Sequence, residues 1–292
     1  MIYGLDIGGS SVKTGILDKD ARIVHKGSLE IPESFEKLIA EIAEDVRETE
    51  KKYDIEGIAI SAPGSVDVDS GVIYGASAIP YIHGPNWKEL LNEITGYEIS
   101  IENDANCAAL AEAYYGAGQQ IDHMAFVVIG SGIGGALVYD KAILHGKHLY
   151  GGEIGYSIVG ERNHKLLSFS DAGSVGGLLR NCKRRGLCVH NGKEVFALAE
   201  QGNVVAQDEI NRFYHYLAIG IFNLQYTYDP EIILLAGAIS SRDDLLSNIE
   251  HEIDQIMDFH NSASLRPKVA IASFRNDSNL IGAYVNFKNK SK

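Results

Sequence analysis

The chain has little cysteine: among its 292 residues only Cys107, Cys182 and Cys188 occur. An odd, sparse set is no disulfide framework, and the spacing of Cys182 and Cys188 matches no usual zinc pair. The ten histidines form no ligand set either, His145 and His148 being too few. No apolar run reaches the length of a membrane span, so no membrane partner is expected. The first residues enter a strand-like run at once, without a basic segment and a long apolar one, which predicts no secretory leader. Basic charge is scarce: 26 Lys and Arg stand against 39 Asp and Glu, a net charge of -13. Without a basic stripe to offset it, such a surface repels nucleic-acid phosphates. No low-complexity linker interrupts the chain. Together these absences predict a soluble cytoplasmic protein with no nucleic-acid partner.

What is present is an ordinary globular composition, 45% apolar, with enough length for one large domain or two modest ones. Residues 2–5, Val12 to Leu17 and Ile23 to Leu29 read as a strand meander. Phe35, Leu38, Ile39, Ile42 and Val46 recur at helical spacing behind Ser34, a cap candidate. Ile55 to Ile60 and Tyr97 to Ile101 read as strands, and an Ala- and Leu-rich helix then runs to about Gly116. Met124 to Ile129 and Ala136 to Tyr139 are strands around a glycine turn, which repeats the grammar of the chain's opening and points to a duplicated fold. Helices are expected around 176–185, 194–201, 206–228 and 242–258, strands at Ile232 to Ala236 and Val269 to Ala272, and a last helix near 277–288. The predicted lobes are 1–117, joined by the C-terminal segment 275–292, and 118–274.

Five segments carry candidate chemistry. In Asp6-Ile7-Gly8-Gly9-Ser10-Ser11-Val12-Lys13 a strand ends in a carboxylate and turns through two glycines. Glycines let a phosphate approach the backbone N–H groups, and Asp6 suits the hydrated magnesium of a nucleotide. A tight hairpin capped by Asp6 explains the same residues equally well. Gly130-Ser131-Gly132-Ile133-Gly134-Gly135 is a second glycine loop, but a strand follows it where a dinucleotide loop would open a helix. Phosphate binding therefore stays open and dinucleotide binding does not. Glu102-Asn103-Asp104-Ala105-Asn106 lies where a strand gives way to a helix, the usual position of site residues in an α/β sheet. Asp104 there could take the proton of an attacking hydroxyl in phosphoryl transfer. Capping of the helix accounts for one of these polar residues, not for four. Gly151-Gly152-Glu153-Ile154-Gly155-Tyr156 brackets a carboxylate that could accept from sugar hydroxyls, or is a surface turn. Leu235-Ala236-Gly237-Ala238 ends a strand in small residues, room for an adenosine or for close helix packing. Lys183-Arg184-Arg185 reads as a solvated helix end, and the tyrosines at 214, 216, 226 and 228 as packing.

Taken together these segments resemble the ROK family of sugar kinases and related repressors, from Asp6 to about Gly282. The resemblance implies the actin-like, ribonuclease-H-like duplicated α/β fold with a cleft between two lobes. It implies ATP with Mg2+, a small-molecule sugar acceptor, phosphorylation of a hexose or derivative at C6, and a homodimer. Asp104 is then the catalytic base, while Asn103 and Glu153 hold sugar hydroxyls. Asp6, Gly8, Gly9, Ser10, Ser11, Lys13, Ser131 and Gly132 serve the nucleotide phosphates, and Gly237 the adenosine. Ser61, Gly64 and Asn86 fall where the family's sugar loops lie.

The chain also departs from the family. Tyr156 stands where typical members have a histidine that binds both sugar and a structural zinc. The stretch from Asn163 to Ser174 has none of their cysteines, and their second sugar-touching Glu falls at or near Ser170. No zinc is expected. A sugar site that has lost two polar partners at the anomeric end suits a β-glucoside or its phosphate, an N-acetylhexosamine or fructose. The alternatives are a ROK-type sugar-responsive regulator, disfavoured by an acidic chain whose kinase-like strands begin at residue 2, and a non-catalytic sugar-binding protein, disfavoured by Asp104.

Overall fold

The computed structural model describes residues 1–260, 262–274 and 276–290. Arg275, Ser291 and Lys292, part of the C-terminal segment read above, lie outside the described residues. The chain divides into two units, Met1–Gly116 with His145–Tyr150 and Asn276–Lys292, and Ala117–Leu144 with Gly151–Arg275.

In the first unit β1 (Ile2–Ile7), β2 (Ser11–Leu17) and β3 (Ile23–Glu30) form the antiparallel meander. α1 (Phe35–Glu50) buries the predicted stripe, and Ser34 caps it by accepting the Lys37 N–H. β4 (Gly57–Ala62) begins and ends two residues later than the spacing suggested. The hairpin β5 (Ser65–Asp67) and β6 (Val72–Tyr74), and α2 (Trp87–Thr95), were not legible. α2 is one short helix with only Trp87 and Leu91 buried, too few anchors to show a period. Trp87 is edge-on to Phe35, with ring centroids 5.0 Å apart, and its Nε1 donates to the Ile82 carbonyl at 3.1 Å. β7 (Glu98–Asn103) runs directly into α3 (Asp104–Tyr115).

The second unit opens with β8 (Met124–Ile129), β9 (Ile133–Tyr139) and the short β10 (Ala142–Ile143). The hairpin β11 (Ile158–Arg162) and β12 (Lys165–Ser168) leads into α4 (Phe169–Gly173) and α5 (Val175–Arg184). α6 (Gly192–Glu200), α7 (Val204–Tyr228), β13 (Ile232–Ala236), α8 (Leu245–Phe259) and β14 (Val269–Ile271) complete it. α8 starts three residues later than expected, because Arg242 is extended after the 3-10 turn Ala238–Ser241 and Asp244 takes the N-cap position. The run at Lys183–Arg185 is only partly a solvated end. Arg185 reaches the buried Glu209 at 3.0 Å, and Arg162 grips the same carboxylate with two N–H groups at 3.1 and 2.9 Å.

The sheets repeat one plan. The first has the order β3-β2-β1-β4-β7 and the second β10-β9-β8-β13-β14. In each, a three-strand antiparallel meander is followed by two parallel strands. α9 (Ser278–Lys290) belongs to the first unit and packs on α3 so closely that a Cβ on Gly282 would lie 1.7 Å from the Cys107 carbonyl oxygen. Among the described residues no helix is long and apolar enough to cross a membrane.

Candidate active site

In the first unit β1, β4 and β7 run parallel and finish on one edge. Their register sets Asp6 beside Ser61 and Ser61 beside Glu102, each step roughly 4.8 Å. Side chains at the carboxyl ends of parallel strands face the crevice where open α/β sheets bind ligands.

Asp6 is buried, and a buried carboxylate needs donors. Oδ1 accepts from Ser61 Oγ at 3.2 Å and Asn279 Nδ2 at 2.9 Å, and Lys13 Nζ lies 3.3 Å from Oδ2. Ser61, read above as a sugar-loop residue, is itself fully buried. Its hydroxyl is committed to Asp6, so it supports the carboxylate. The β1–β2 ladder ends at the pair Ile7 and Val12. Gly8 N–H closes the turn on the Ser11 carbonyl at 3.0 Å, and Gly9 and Ser10 are left exposed beyond the ladder.

Asn103 both caps α3 and ties down a loop. Its Oδ1 accepts the N–H groups of Ala105 and Asn106 at 2.9 and 3.1 Å, and its Nδ2 donates to the Gly64 carbonyl at 2.9 Å. Gly64 has φ +100, and a Cβ there would lie 2.9 Å from the Tyr74 carbonyl oxygen, so the loop requires glycine. Asp104 is the half-buried first residue of α3, with its Oδ1 2.8 Å from the Ala105 N–H. Asn86 has a different place. It caps α2, accepting the Glu89 N–H and donating to the Glu89 carboxylate, both at 3.1 Å. Its amide is committed there and makes no hydrogen bond to Gly64 or Asn103.

Two histidines lie close by: His145, read from the sequence only as one of too few histidines for a ligand set, and His83, which sequence reasoning passed over. His145 Nε2 is 2.7 Å from Glu102 Oε2. His83 bonds Ser77 Oγ through Nε2 at 2.9 Å, and its ring approaches Gly64. His83 Nδ1 is buried without a hydrogen-bond partner among the described residues. Neither histidine belongs to a spacing motif, so only the folded chain marks them.

In the second unit Gly130-Ser131-Gly132 joins β8 to β9 beyond the pair Ile129 and Ile133. The start of α5 is packed onto this loop: Gly176 N–H donates to the Gly130 carbonyl at 3.2 Å and Ser174 Oγ to the Ser131 carbonyl at 3.2 Å. A Cβ on Gly176 would lie 2.1 Å from the Ser131 oxygen. With the loop's carbonyls engaged from behind, Ser131 remains exposed. Gly237, with φ +101, sits against Ile129, where a Cβ would lie 2.3 Å from the Ile129 carbonyl oxygen. The adenosine and phosphate candidates of this unit are therefore neighbours. Ser170 Oγ accepts the Ile133 N–H at 2.9 Å. Glu153 is half-buried at the head of the 3-10 turn Ile154–Tyr156. Burial pushes its carboxyl pKa up, and the carboxylate has no hydrogen-bond partner among the described residues. Tyr156 is exposed, at 73%.

The ROK family model matches residues 2–290. This chain belongs to the ROK family. It is 32% identical over 294 residues to the beta-glucoside kinase of Listeria innocua, covering 98% of this chain and 97% of that one. It is 30% identical over 316 residues to the glucokinase of Halalkalibacterium halodurans, covering 96% and 92%. A solved ROK family protein from Streptococcus pneumoniae TIGR4, in complex with sucrose, matches with a TM-score of 0.91 at 35% identity, over 99% of this chain and 98% of that one. The fold is the duplicated actin-like ATPase fold of these ROK structures. The family's structural zinc does not fit the residues here. Tyr156 offers a phenol in place of an imidazole, and no thiolate lies between Asn163 and Ser174.

Proposed function

We propose that this ROK protein transfers the γ-phosphoryl group of ATP to a hexose or hexose derivative, at the C6 hydroxyl, with Asp104 as general base. The observation that carries this reading is the carboxyl edge of β1, β4 and β7. There a donor-supported Asp6 beside a glycine turn stands two strand steps, roughly 10 Å, from Glu102, and Asp104 opens α3 two residues beyond Glu102. Phosphoryl transfer asks for positioning, charge neutralisation and one proton acceptor. The sugar oxygen attacks phosphorus, its proton goes to the Asp104 carboxylate, and the bond to ADP breaks.

Gly8, Gly9, Ser10, Ser11 and Lys13 would receive nucleotide phosphate in the first unit. In the second, Ser131 and Gly132 would receive phosphate and Gly237 the adenosine. Asp6 suits Mg2+, which keeps most of its waters and takes one or two carboxylates. When bound, that ion supplies charge neutralisation of the phosphates. Asn103, Gly64 and Glu153 would position the sugar. The Glu153 carboxylate, half-buried and without a hydrogen-bond partner among the described residues, would gain donors from the sugar's hydroxyls.

The acceptor we favour carries a substituent on its anomeric carbon, as in a β-glucoside. Tyr156 is exposed, and Ser170 spends its hydroxyl on the Ile133 backbone, so neither replaces the polar pair of typical members. A beta-glucoside kinase among the relatives and a sucrose-bound neighbour are consistent with this choice. Homodimerisation and a cytoplasmic site of action complete the proposal. ADP release across glucose, fructose, N-acetylmannosamine, N-acetylglucosamine, cellobiose and arylglucosides is the test. Turnover best on glucose would reject the substituted acceptor, and none on any sugar would reject the kinase.

A further inference from the structure

Glu102 is 1% exposed at the end of β7, one residue before Asn103. Its Oε1 accepts the Asn103 N–H at 2.8 Å and Asn106 Nδ2 at 2.9 Å, both from the start of α3. Its Oε2 meets His145 Nε2 at 2.7 Å. His145 heads the segment His145–Tyr150, which belongs to the first unit although the chain on either side of it belongs to the second.

Resting on the kinase reading above, we propose that His145 is a positioning residue for the sugar site. Through its hydrogen bond to Glu102 it fixes the carboxylate that orients Asn103 and Asn106, and so sets the first turn of α3 on which Asp104 stands. An ionised carboxylate out of water needs every lone pair engaged and a nearby cation. Without His145 Oε2 loses its bond, and Glu102 has a reason to turn and release the Asn103 N–H.

The charges that face His145 are Glu102, Lys290 and Asp69. The Glu102 hydrogen bond pushes the imidazole pKa up, against burial and the Lys290 charge, with Asp69 adding a small upward push. Lys290 is itself pushed down, by burial first and by Lys88 next. It donates to the Val68 carbonyl at 2.7 Å. For a histidine whose folded pKa is raised, the stabilisation is complete below the unfolded value of about 6.5 and lost as pH rises through the folded value. The neutral ring can still donate from Nε2, but the pair then loses the attraction between its opposite charges, which counts for more away from water. The clamp therefore loosens as pH rises through the raised imidazole value.

The test compares wild type, His145→Ala and His145→Gln from about pH 6 to about pH 9. The first readout needs no ligand: amide hydrogen exchange at Ala105 and Asn106, with α1 as internal control. His145→Ala should exchange roughly tenfold faster there, and His145→Gln, which keeps an N–H donor, should restore most of the protection. Wild-type protection should fall as His145 deprotonates, whereas His145→Gln should be flat with pH. The second readout is steady-state kinetics on the preferred sugar. KM for the sugar should rise roughly tenfold in His145→Ala and kcat should fall with it, because Asp104 stands on the same turn, while KM for ATP stays close to wild type. Unchanged exchange at Ala105 and Asn106 in His145→Ala would overturn the proposal. So would a His145→Gln protein whose protection follows pH as the wild type does. An inactive wild type would sink the kinase reading, while the exchange measurement still decides the clamp.

Discussion

Ser170 Oγ accepts the Ile133 N–H at 2.9 Å and turns its own hydrogen toward the Ile133 carbonyl at 3.3 Å. One hydroxyl at the start of α4 thus anchors the residue that closes the Gly130-Ser131-Gly132 loop. The same oxygen would lie 2.5 Å from a Cβ on Gly155. The glycine loop and the turn carrying Glu153 are therefore packed around a single serine. Ser170→Ala leaves the Ile133 N–H without its partner, a cost of about 1–3 kcal/mol. Thermal unfolding should show the lower Tm, and KM for ATP should rise while the sugar preference stays as it was. An unchanged KM for ATP would mean that the loop does not serve the nucleotide.

Asp104→Asn keeps the shape of the helix start but removes the proton acceptor. Loss of a general base costs on the order of 10² to 10⁴ in rate. That loss should appear in kcat, with sugar affinity by calorimetry much less affected. Undiminished turnover would remove Asp104 from the mechanism.

Glu153 gives a pH signature on the acid side. Burial raises its carboxyl pKa, so it protonates at a higher pH than an ordinary glutamate. Its burial cost is absent when it is neutral and appears as pH rises through the raised value, which is why ligand hydroxyls are needed to offset it. Hydroxyls donate best to the ionised form, so KM for the sugar should climb as pH falls toward that raised value. In Glu153→Gln this acid limb should vanish, and KM should be higher but flat.

Glu209 is a stability element rather than a site residue. It is buried, and burial alone would raise its pKa. The hydrogen bonds from Arg162 and Arg185 outweigh that and hold it below the ordinary carboxylate range. A depressed carboxyl pKa contributes stability above the unfolded value of about 4.3 that is lost as pH falls through the folded value. Denaturant unfolding should show that loss in the wild type and not in Glu209→Gln. Glu209→Ala, which strands the arginines, should cost about 3–5 kcal/mol.

Gly282→Ala sets two effects against each other. Alanine in a helix interior gains about 1 kcal/mol of propensity over glycine. Against it, the added Cβ would meet the Cys107 carbonyl oxygen at 1.7 Å, backbone that no rotamer change can move. Overpacking of this kind costs about 3 kcal/mol. Chemical denaturation should therefore show a net loss, and a gain would mean that α3 and α9 separate easily.

Much of the site was legible because its chemistry is local in sequence. The turn at Gly8 and Gly9, the cap at Asn103 and the loop at Gly130 to Gly135 each combine a strand end with residues of fixed conformational role. Their duplication was readable because the same pattern recurs, and both sheets then show the same pairing plan. What was not legible depends on partners far apart in the chain. Asn279 reaches Asp6 from α9, and the β1–β4 register sets Ser61 where its hydroxyl donates to Asp6. α2 escaped notice because two buried residues cannot display a helical period.

By itself the sequence determined the α/β class, the two glycine loops, the carboxylate at a strand-to-helix junction and the lack of zinc-binding thiolates. These follow from backbone preference and side-chain chemistry, which neighbours in the chain settle between themselves. Only the tertiary structure decided what each carboxylate is bonded to. His145, with only His148 near it in the chain, carries no message until folding brings it 2.7 Å from the buried Glu102. The physical reason is that burial strips a charge of water, and the partners that replace the water come from wherever the fold happens to pass.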